Sequence, residues 1–297
     1  TIFMGRLRHF IWQIEQLQER LGGLAPFSGG DMCAVVVGSW GLERPNFQIL
    51  VLVEGEAAKA NSLSQRHQWL TQLLETTRSL GMGLSWQDVR FIHPSDLTEP
   101  NLTGRLGSTV ALDRPIPDAL LLLVDGIALT NPNLLQAGRS QLLKHHFSNP
   151  SESQTEMPFL GLAHAIQECW HRLCLHSAVH AEMERLQFGW RLALQSLVIS
   201  LVHLKPANSK EVLAHCERPA LARIAHLLHQ PSFDATWAEE HQLFLEDFQA
   251  LMELRSIKTG STPVAMSQLT QRRYNRFFYR LLTHPNVDEA LRFTLLS

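Results

Sequence analysis

The sequence predicts an α+β protein, with an N-terminal mixed sheet and flanking helices followed by an all-α helical bundle. Two short apolar runs, at residues 34–37 and 49–53, are rich in valine and have the length of buried strands. Apolar residues recur at helical spacing before and after them, over 2–21 and 57–80. Beyond residue 158 nearly every segment has helical spacing, which is typical of a bundle.

A polar stretch divides these two patterns. Residues 145–158 contain Pro, Asn and Ser and few apolar groups, as loops between domains do. We therefore expect one domain over 1–145 and a second over 158–297. Further strands are predicted around Val89, at 109–112 and at 119–124, and helices at 159–186, 188–204, 209–228, 236–257, 265–283 and 286–296.

Composition excludes several classes of protein. Hydrophobic residues make up 45% and charged residues 18%, which describes a folded chain. With 26 Lys and Arg against 28 Asp and Glu, the chain lacks the basic excess of most nucleic-acid binders, so a nucleic-acid partner is not expected. The apolar stretches are too short to predict a membrane-spanning helix. Four cysteines without a CxxC pair predict reduced thiols in a cytoplasmic protein.

One segment, residues 35–51, carries chemical information. A buried strand runs into Gly38 and Ser39, a short loop with Gly and Pro follows, and a second buried strand begins near Ile49. Glycine lets a ligand approach the backbone closely, and free N–H groups with a serine hydroxyl can hold a phosphate.

This arrangement resembles the DNA polymerase beta-type nucleotidyltransferase superfamily, in particular its minimal and aminoglycoside nucleotidyltransferase branches. Their pattern is an apolar strand, Gly-Ser, a loop, and then Asp-apolar-Asp opening the next strand. Here Gly38 and Ser39 match the first part, and Asn46 and Gln48 stand where the two acids are expected. Asp88 lies where the family's third carboxylate strand often occurs. Residues 117–129 resemble a late hairpin of the family, and the helical second half resembles the bundle found in several branches.

The resemblance implies Mg²⁺ bound by the two carboxylates and bridging the phosphates of a nucleoside triphosphate. Asn46 and Gln48 are neutral amides, so the usual metal chemistry is predicted to be lost, and no cofactor is expected. Gly38, Ser39, Asn46 and Gln48 would then line a nucleotide site without gathering a tight metal. The predicted function is a non-catalytic regulatory protein that binds a nucleotide, another protein or a second copy of itself.

The alternative is an active nucleotidyltransferase that modifies a hydroxyl of a small molecule or protein. It would use Mg²⁺ and a nucleoside triphosphate, with Asp88 as the catalytic carboxylate and Glu43 or Glu54 as a substitute ligand. A third possibility is an interaction protein with a collapsed pocket.

Three other patterns suggest sites. His164, Glu168 and His171 share one face of a predicted helix and form a possible metal set. Arg223 and His229 have the spacing of the Arg and His pair in HEPN ribonucleases. Residues 271–280 alternate Arg with aromatic groups, which fits either a phosphate-binding surface or, as we favour, a helix with its aromatic side chains in the core.

Overall fold

The computed structural model describes residues 2–38, 48–59, 63–92, 118–147, 159–179, 187–253 and 264–296, and it confirms the α+β class. The chain divides into two units, Thr1–Ser153 and Gln154–Ser297. None of the helices in these described ranges is both long and apolar enough to cross a membrane.

The first unit contains a four-stranded sheet and the helices that cover it. Its helices are α1 (Ile2–Gly22), α2 (Ala25–Ser28), α3 (Gly55–Lys59), α4 (Leu63–Ser79), α5 (Asp118–Asp125) and α6 (Pro132–Phe147). Its strands are β1 (Met32–Val37), β2 (Gln48–Val53), β3 (Val89–Ile92) and β4 (Ile127–Ala128). A single turn of 3₁₀ helix, Trp86–Asp88, leads into β3.

The strand order in this sheet is β3-β2-β1-β4. Strand β1 runs antiparallel to both of its neighbours, whereas β2 and β3 are parallel. Val37 pairs with Gln48, and Ile49 pairs with Val89. The end of β1 and the beginnings of β2, β3 and β4 therefore lie along one edge of the sheet, which we call the site edge.

Strand β1 is buried on both faces, as its continuous apolar run predicts. On one face, Val36 and Val51 belong to a core that also contains Leu17 and Leu21 of α1 and Leu73 of α4. Helices α5 and α6 pack against β1 as well. The sheet is thus enclosed by helices, and only its edges can present polar groups to a ligand.

The prediction of a strand at 119–124, and with it the late hairpin, is wrong, because these residues form helix α5. Every residue from Ala119 to Val124 is buried. A helix that is covered on all sides shows no amphipathic period, so six consecutive apolar residues do not distinguish it from a buried strand. The strand predicted at 109–112 lies outside the described residues.

Every secondary-structure element among the described residues of the second unit is a helix. Its helices are α7 (Leu160–Val179), α8 (Gln187–Leu204), α9 (Ser209–Glu217), α10 (Ala220–Leu228), α11 (Thr236–Glu253), α12 (Val264–Leu282) and α13 (Glu289–Leu296). The single helix predicted over 209–228 is two helices. Arg218 has extended backbone because Pro219 follows it, and this interrupts the helix.

A buried arginine holds three of these helices together. Arg223 of α10 is 1% exposed. Its Nε donates to the carbonyls of His215 and Arg218 at the end of α9, and its Nη1 donates to the carbonyl of Ala193 and to Ser196 Oγ in α8. A guanidinium group supplies five donors in a fixed fork, which suits several carbonyls at once. Arg223 is therefore a structural residue here.

Replacing Arg223 should destabilise the second unit. Arg223→Met leaves carbonyls of α8 and α9 without their donor, and each buried unsatisfied group costs about 1–3 kcal/mol. We expect a loss of about 3 kcal/mol or more in the free energy of unfolding by urea, with a smaller loss for Arg223→Lys. Lys210→Met on the exposed side of α9 is the control, and equal effects of the two methionine variants would contradict this role.

Histidines are also buried in this unit. His203 donates from Nε2 to the carbonyl of Leu281, and its Nδ1 is buried without a partner among the described residues. Its ring packs against those of Phe233 and His284. Burial lowers the pKa of His203 to about 4, and burial with the nearby Arg218 lowers the pKa of His215 to about 4. Both imidazoles are therefore neutral in the folded protein at pH 7.

Acid should destabilise the protein between pH 6.5 and pH 4. In this window the unfolded chain binds protons on His203 and His215 that the folded chain excludes, so the free energy of unfolding rises with pH and is fully restored above pH 6.5. Denaturant titrations at several pH values measure this slope. His203→Phe should reduce the slope, whereas His67→Gln at an exposed position should leave it unchanged. An unchanged slope in His203→Phe would contradict the assignment.

Candidate functional site

The site edge begins at Gly38, which directly follows β1. Gly38 has a φ of 78°, a conformation that favours glycine, and it is buried. Its N–H donates to Oδ2 of Asp125 at 2.6 Å. The Asp125 side chain is 6% exposed and stands at the end of α5, immediately before β4. A phosphate at the Gly38 N–H would have to displace this carboxylate.

A second buried arginine fixes the end of α5. Arg139 of α6 donates from Nε to the carbonyl of Leu122 and from Nη2 to the carbonyl of Gly126, both at 2.8 Å. These contacts satisfy carbonyls at a helix C-terminus, where a positive charge is favourable. Arg139 thereby positions Asp125, and Asp125 in turn positions the backbone of Gly38.

Gln48 and Arg90 meet at the beginnings of β2 and β3. Arg90 Nη2 donates to Gln48 Oε1 at 3.0 Å. Leu50 pairs with Arg90 across the parallel strands, and Gln48 lies two residues before Leu50. Since alternate residues of a strand point to the same face, the side chains of Gln48 and Arg90 are neighbours on one face of the sheet. A guanidinium group thus contacts Gln48, the amide that the resemblance aligns with the second carboxylate.

Asp88 lies at the same edge, just before β3. Its Oδ2 accepts hydrogen bonds from the backbone N–H of Ser85 at 2.7 Å and from Ser85 Oγ at 2.8 Å. This is a capping box for the short 3₁₀ turn, so one carboxylate oxygen is already used in local structure. Gly38, Gln48 and Asp88 therefore lie along one edge of the sheet, and their role in a nucleotide site stays a prediction.

The other predicted residues of this site do not join the described part of the edge. Ser39, Glu43 and Asn46 lie outside the described residues. Glu54 follows the far end of β2, where its N–H donates to the carbonyl of Asp31. Six strand residues span about 20 Å, so Glu54 is not a substitute metal ligand and this expectation is wrong.

The position of Gln48 at the site edge does not fit a Mg²⁺ ion. Gln48 offers no charge and its oxygen accepts from Arg90. A Mg²⁺ ion on that oxygen, at a usual distance of about 2.1 Å, would lie roughly 5 Å from the guanidinium group. Repulsion over that distance is about 2 kcal/mol in water and several kcal/mol at an effective dielectric constant of about 20.

The histidine set on α7 does not form a ligand cluster. Glu168 makes an ion pair with Arg172, and His171 Nε2 lies 3.2 Å from the amide nitrogen of Gln167. Across the described ranges, no three side chains of His, Cys, Asp or Glu are placed to share a metal ion. His164 is half-buried on the same helix.

The two remaining sequence patterns have structural explanations. Arg223 of the ribonuclease-like pair is buried against carbonyls, while His229 is exposed at the end of α10. In the cluster at 271–280, the favoured interpretation is confirmed, because the aromatic side chains Tyr274, Phe277 and Phe278 are buried in the core.

Comparison with known proteins adds no assignment, since no family model, curated protein or solved structure matches the chain.

Sequence reasoning missed three residues of this site: Arg90, Asp125 and Arg139. Arg90 was visible only as the polar residue of an alternating strand. Asp125 lies in the segment 117–129, for which a hairpin was predicted. The only signal in the sequence was that these charged residues stand beside buried apolar runs, where a charged group needs a partner. The partners themselves are distant in sequence.

Removing the Asp125 carboxylate should destabilise the backbone at Gly38. Asp125→Ala leaves the buried N–H of Gly38 without its acceptor, and we expect the free energy of unfolding to fall by about 1–3 kcal/mol. Asp125→Asn keeps an oxygen acceptor and should lose less. Chemical denaturation measures both variants, and a loss below about 0.5 kcal/mol for Asp125→Ala would contradict this role.

Proposed function

We propose that the protein is a non-catalytic, nucleotidyltransferase-like protein whose site edge binds the phosphate group of a nucleotide without a metal ion. The observation that carries this proposal is the hydrogen bond from Arg90 to Gln48. Where the resemblance implies a metal ion between carboxylates and phosphate, this chain has an arginine beside an amide. A guanidinium group is itself a good phosphate ligand.

Regulation follows from this chemistry. Without carboxylates that gather a metal, a bound nucleotide keeps its phosphates intact, and its effect is limited to a change in the conformation or partners of the protein. All four cysteines are free thiols and three of them are buried, which supports our proposal that the protein acts in the cytoplasm.

One arrangement favours the alternative, a metal-dependent nucleotidyltransferase. Asp88 ends the 3₁₀ turn before β3 and Asp125 ends α5 just before β4, so two carboxylates lie along the site edge. However, Asp88 caps the turn before β3, and Asp125 holds Gly38. A transferase would have to release at least one of these bonds to bind a metal ion.

Calorimetric titration of the full chain with ATP, GTP, CTP and UTP, each with Mg²⁺ and with EDTA, tests the proposal. We expect the nucleotide affinity to be the same with Mg²⁺ and with EDTA. The substitution Arg90→Met should weaken this affinity about tenfold or more. Arg78→Met, at an exposed site near the end of α4, is the matched control and should change nothing.

The other outcomes are distinct. Binding that requires Mg²⁺ and is lost in Asp88→Asn or Asp125→Asn would support the transferase. Absence of binding under all conditions would remove the nucleotide from the proposal and leave the protein-binding role.

A further inference from the structure

Helices α11 and α12 form a pair with an exposed surface, which we call the outer face. On α11, the residues at helical spacing that point to solvent are Glu239, Leu243 and Glu246. On α12, they are Leu269, Arg272, Arg276 and Tyr279, which together extend over about 15 Å of helix.

The two helices pack antiparallel, and the contacts between them define which charges are already neutralised. Glu240 pairs with Arg280, and Asp247 pairs with Arg273. Between these ion pairs, the ring of Phe244 stacks on that of Phe277 with centroids 4.3 Å apart. The charged and aromatic groups between the two helices therefore pair with each other. The outer face lies beside this contact.

The charges of the outer face are divided between the helices. Glu239 and Glu246 make α11 acidic, whereas Arg272 and Arg276 make α12 basic. The two arginines are four residues apart, a spacing at which like charges repel, and neither contacts an acid among the described residues. The face thus carries two opposite charged stripes of equal size.

Apolar side chains accompany these charges. Leu243 is 51% exposed, and Leu269 and Tyr279 are each 56% exposed. These are the large apolar side chains that the described part of the second unit leaves exposed. Apolar and arginine side chains grouped on one face are typical of protein interfaces.

We propose that the outer face binds a second copy of this chain and forms a two-fold symmetric dimer. A two-fold axis parallel to the helices lays α11 of one copy over α12 of the other, and each contact occurs twice. Asp247 lies level with Arg273, so such an axis brings Glu246 of the partner subunit over the turn between Arg272 and Arg276. Glu246 of each copy then meets the basic stripe of the other, while Glu239, which in the same register is level with Leu281, lies beside the Glu240–Arg280 ion pair of the other copy. The exposed apolar side chains lie within this interface.

The same observations argue against a nucleic-acid partner. Binding to phosphates grows with the number of cations that replace counterions, and two arginines beside two glutamates provide little. In a dimer of two identical faces, by contrast, both stripes contribute to binding, because Glu246 in the acidic stripe of each copy contacts the basic stripe of the other.

Charge exchange tests the dimer. Sedimentation of the full chain at about 50 µM should show a dimer, and Glu239→Arg/Glu246→Arg or Arg272→Glu/Arg276→Glu should each weaken self-association about tenfold or more. Each double variant has a face of a single sign and repels itself. A mixture of the two variants should form a heterodimer, because every contact is again between opposite charges.

Glu15→Arg/Glu75→Arg, at exposed sites on α1 and α4, is the matched control and should remain dimeric. A monomeric parent chain, or double variants that stay dimeric, would overturn the proposal. The proposal would also fail if the mixed variants do not associate although each retains the parent's circular dichroism and melting transition. A shift produced by added RNA but not by a second copy would favour the nucleic acid. These readouts do not depend on nucleotide binding at the site edge.

Discussion

The rest of this structure depends on one constraint, which is that the carbonyl groups at buried helix ends need hydrogen-bond donors. An α-helix leaves its last carbonyls without intrahelical donors, and a helix that ends inside the protein needs donors from elsewhere. Arg139 supplies them at the end of α5, and Arg223 supplies them at the end of α9. Each arginine is almost fully buried, so each unit contains a cation that is stabilised by backbone oxygens.

In the first unit this constraint extends to the site edge. Arg139 fixes the end of α5, which places Asp125 where it accepts from Gly38. Gly38 is therefore held by a chain of polar contacts that begins in α6. Along the same edge, Arg90 donates to Gln48. These arginine contacts are the basis of our proposal that the edge binds an anion without a divalent cation.

Apolar periodicity was sufficient to predict most of the architecture. The runs at 34–37 and 49–53 are strands because both faces of the sheet are covered, and the amphipathic spacing at 2–21 marks α1. The same rule failed at α5, where burial on every side removes the period. Helix α6 was not predicted, although Pro132 at its first position is a recognised signal for a helix start.

The polar contacts of the site could not be predicted in this way. Gly38 and Asp125 are 87 residues apart, and Gln48 and Arg90 are 42 apart, so neither pair leaves a local pattern. The resemblance suggested Gly38, Gln48 and Asp88 as residues of one site. All three lie along the site edge, and their function stays a prediction. The resemblance could not indicate Arg90, since the family pattern has no arginine to align there.

The segment 271–280 of helix α12 has one face that packs in the core and another that is exposed to solvent. The segment at 271–280 suggested either a core helix or a binding surface, and the structure separates these by face. Tyr274 is buried and donates to the carbonyl of Phe188, while Arg276 points to solvent. The aromatic groups fix the helix on its neighbours, and that rigidity holds Arg272 and Arg276 one turn apart. Because the helix is well packed, binding through this surface orders little additional backbone, and the entropic cost is that of fixing the charged side chains. The arrangement of opposite charges then determines which surface it can bind.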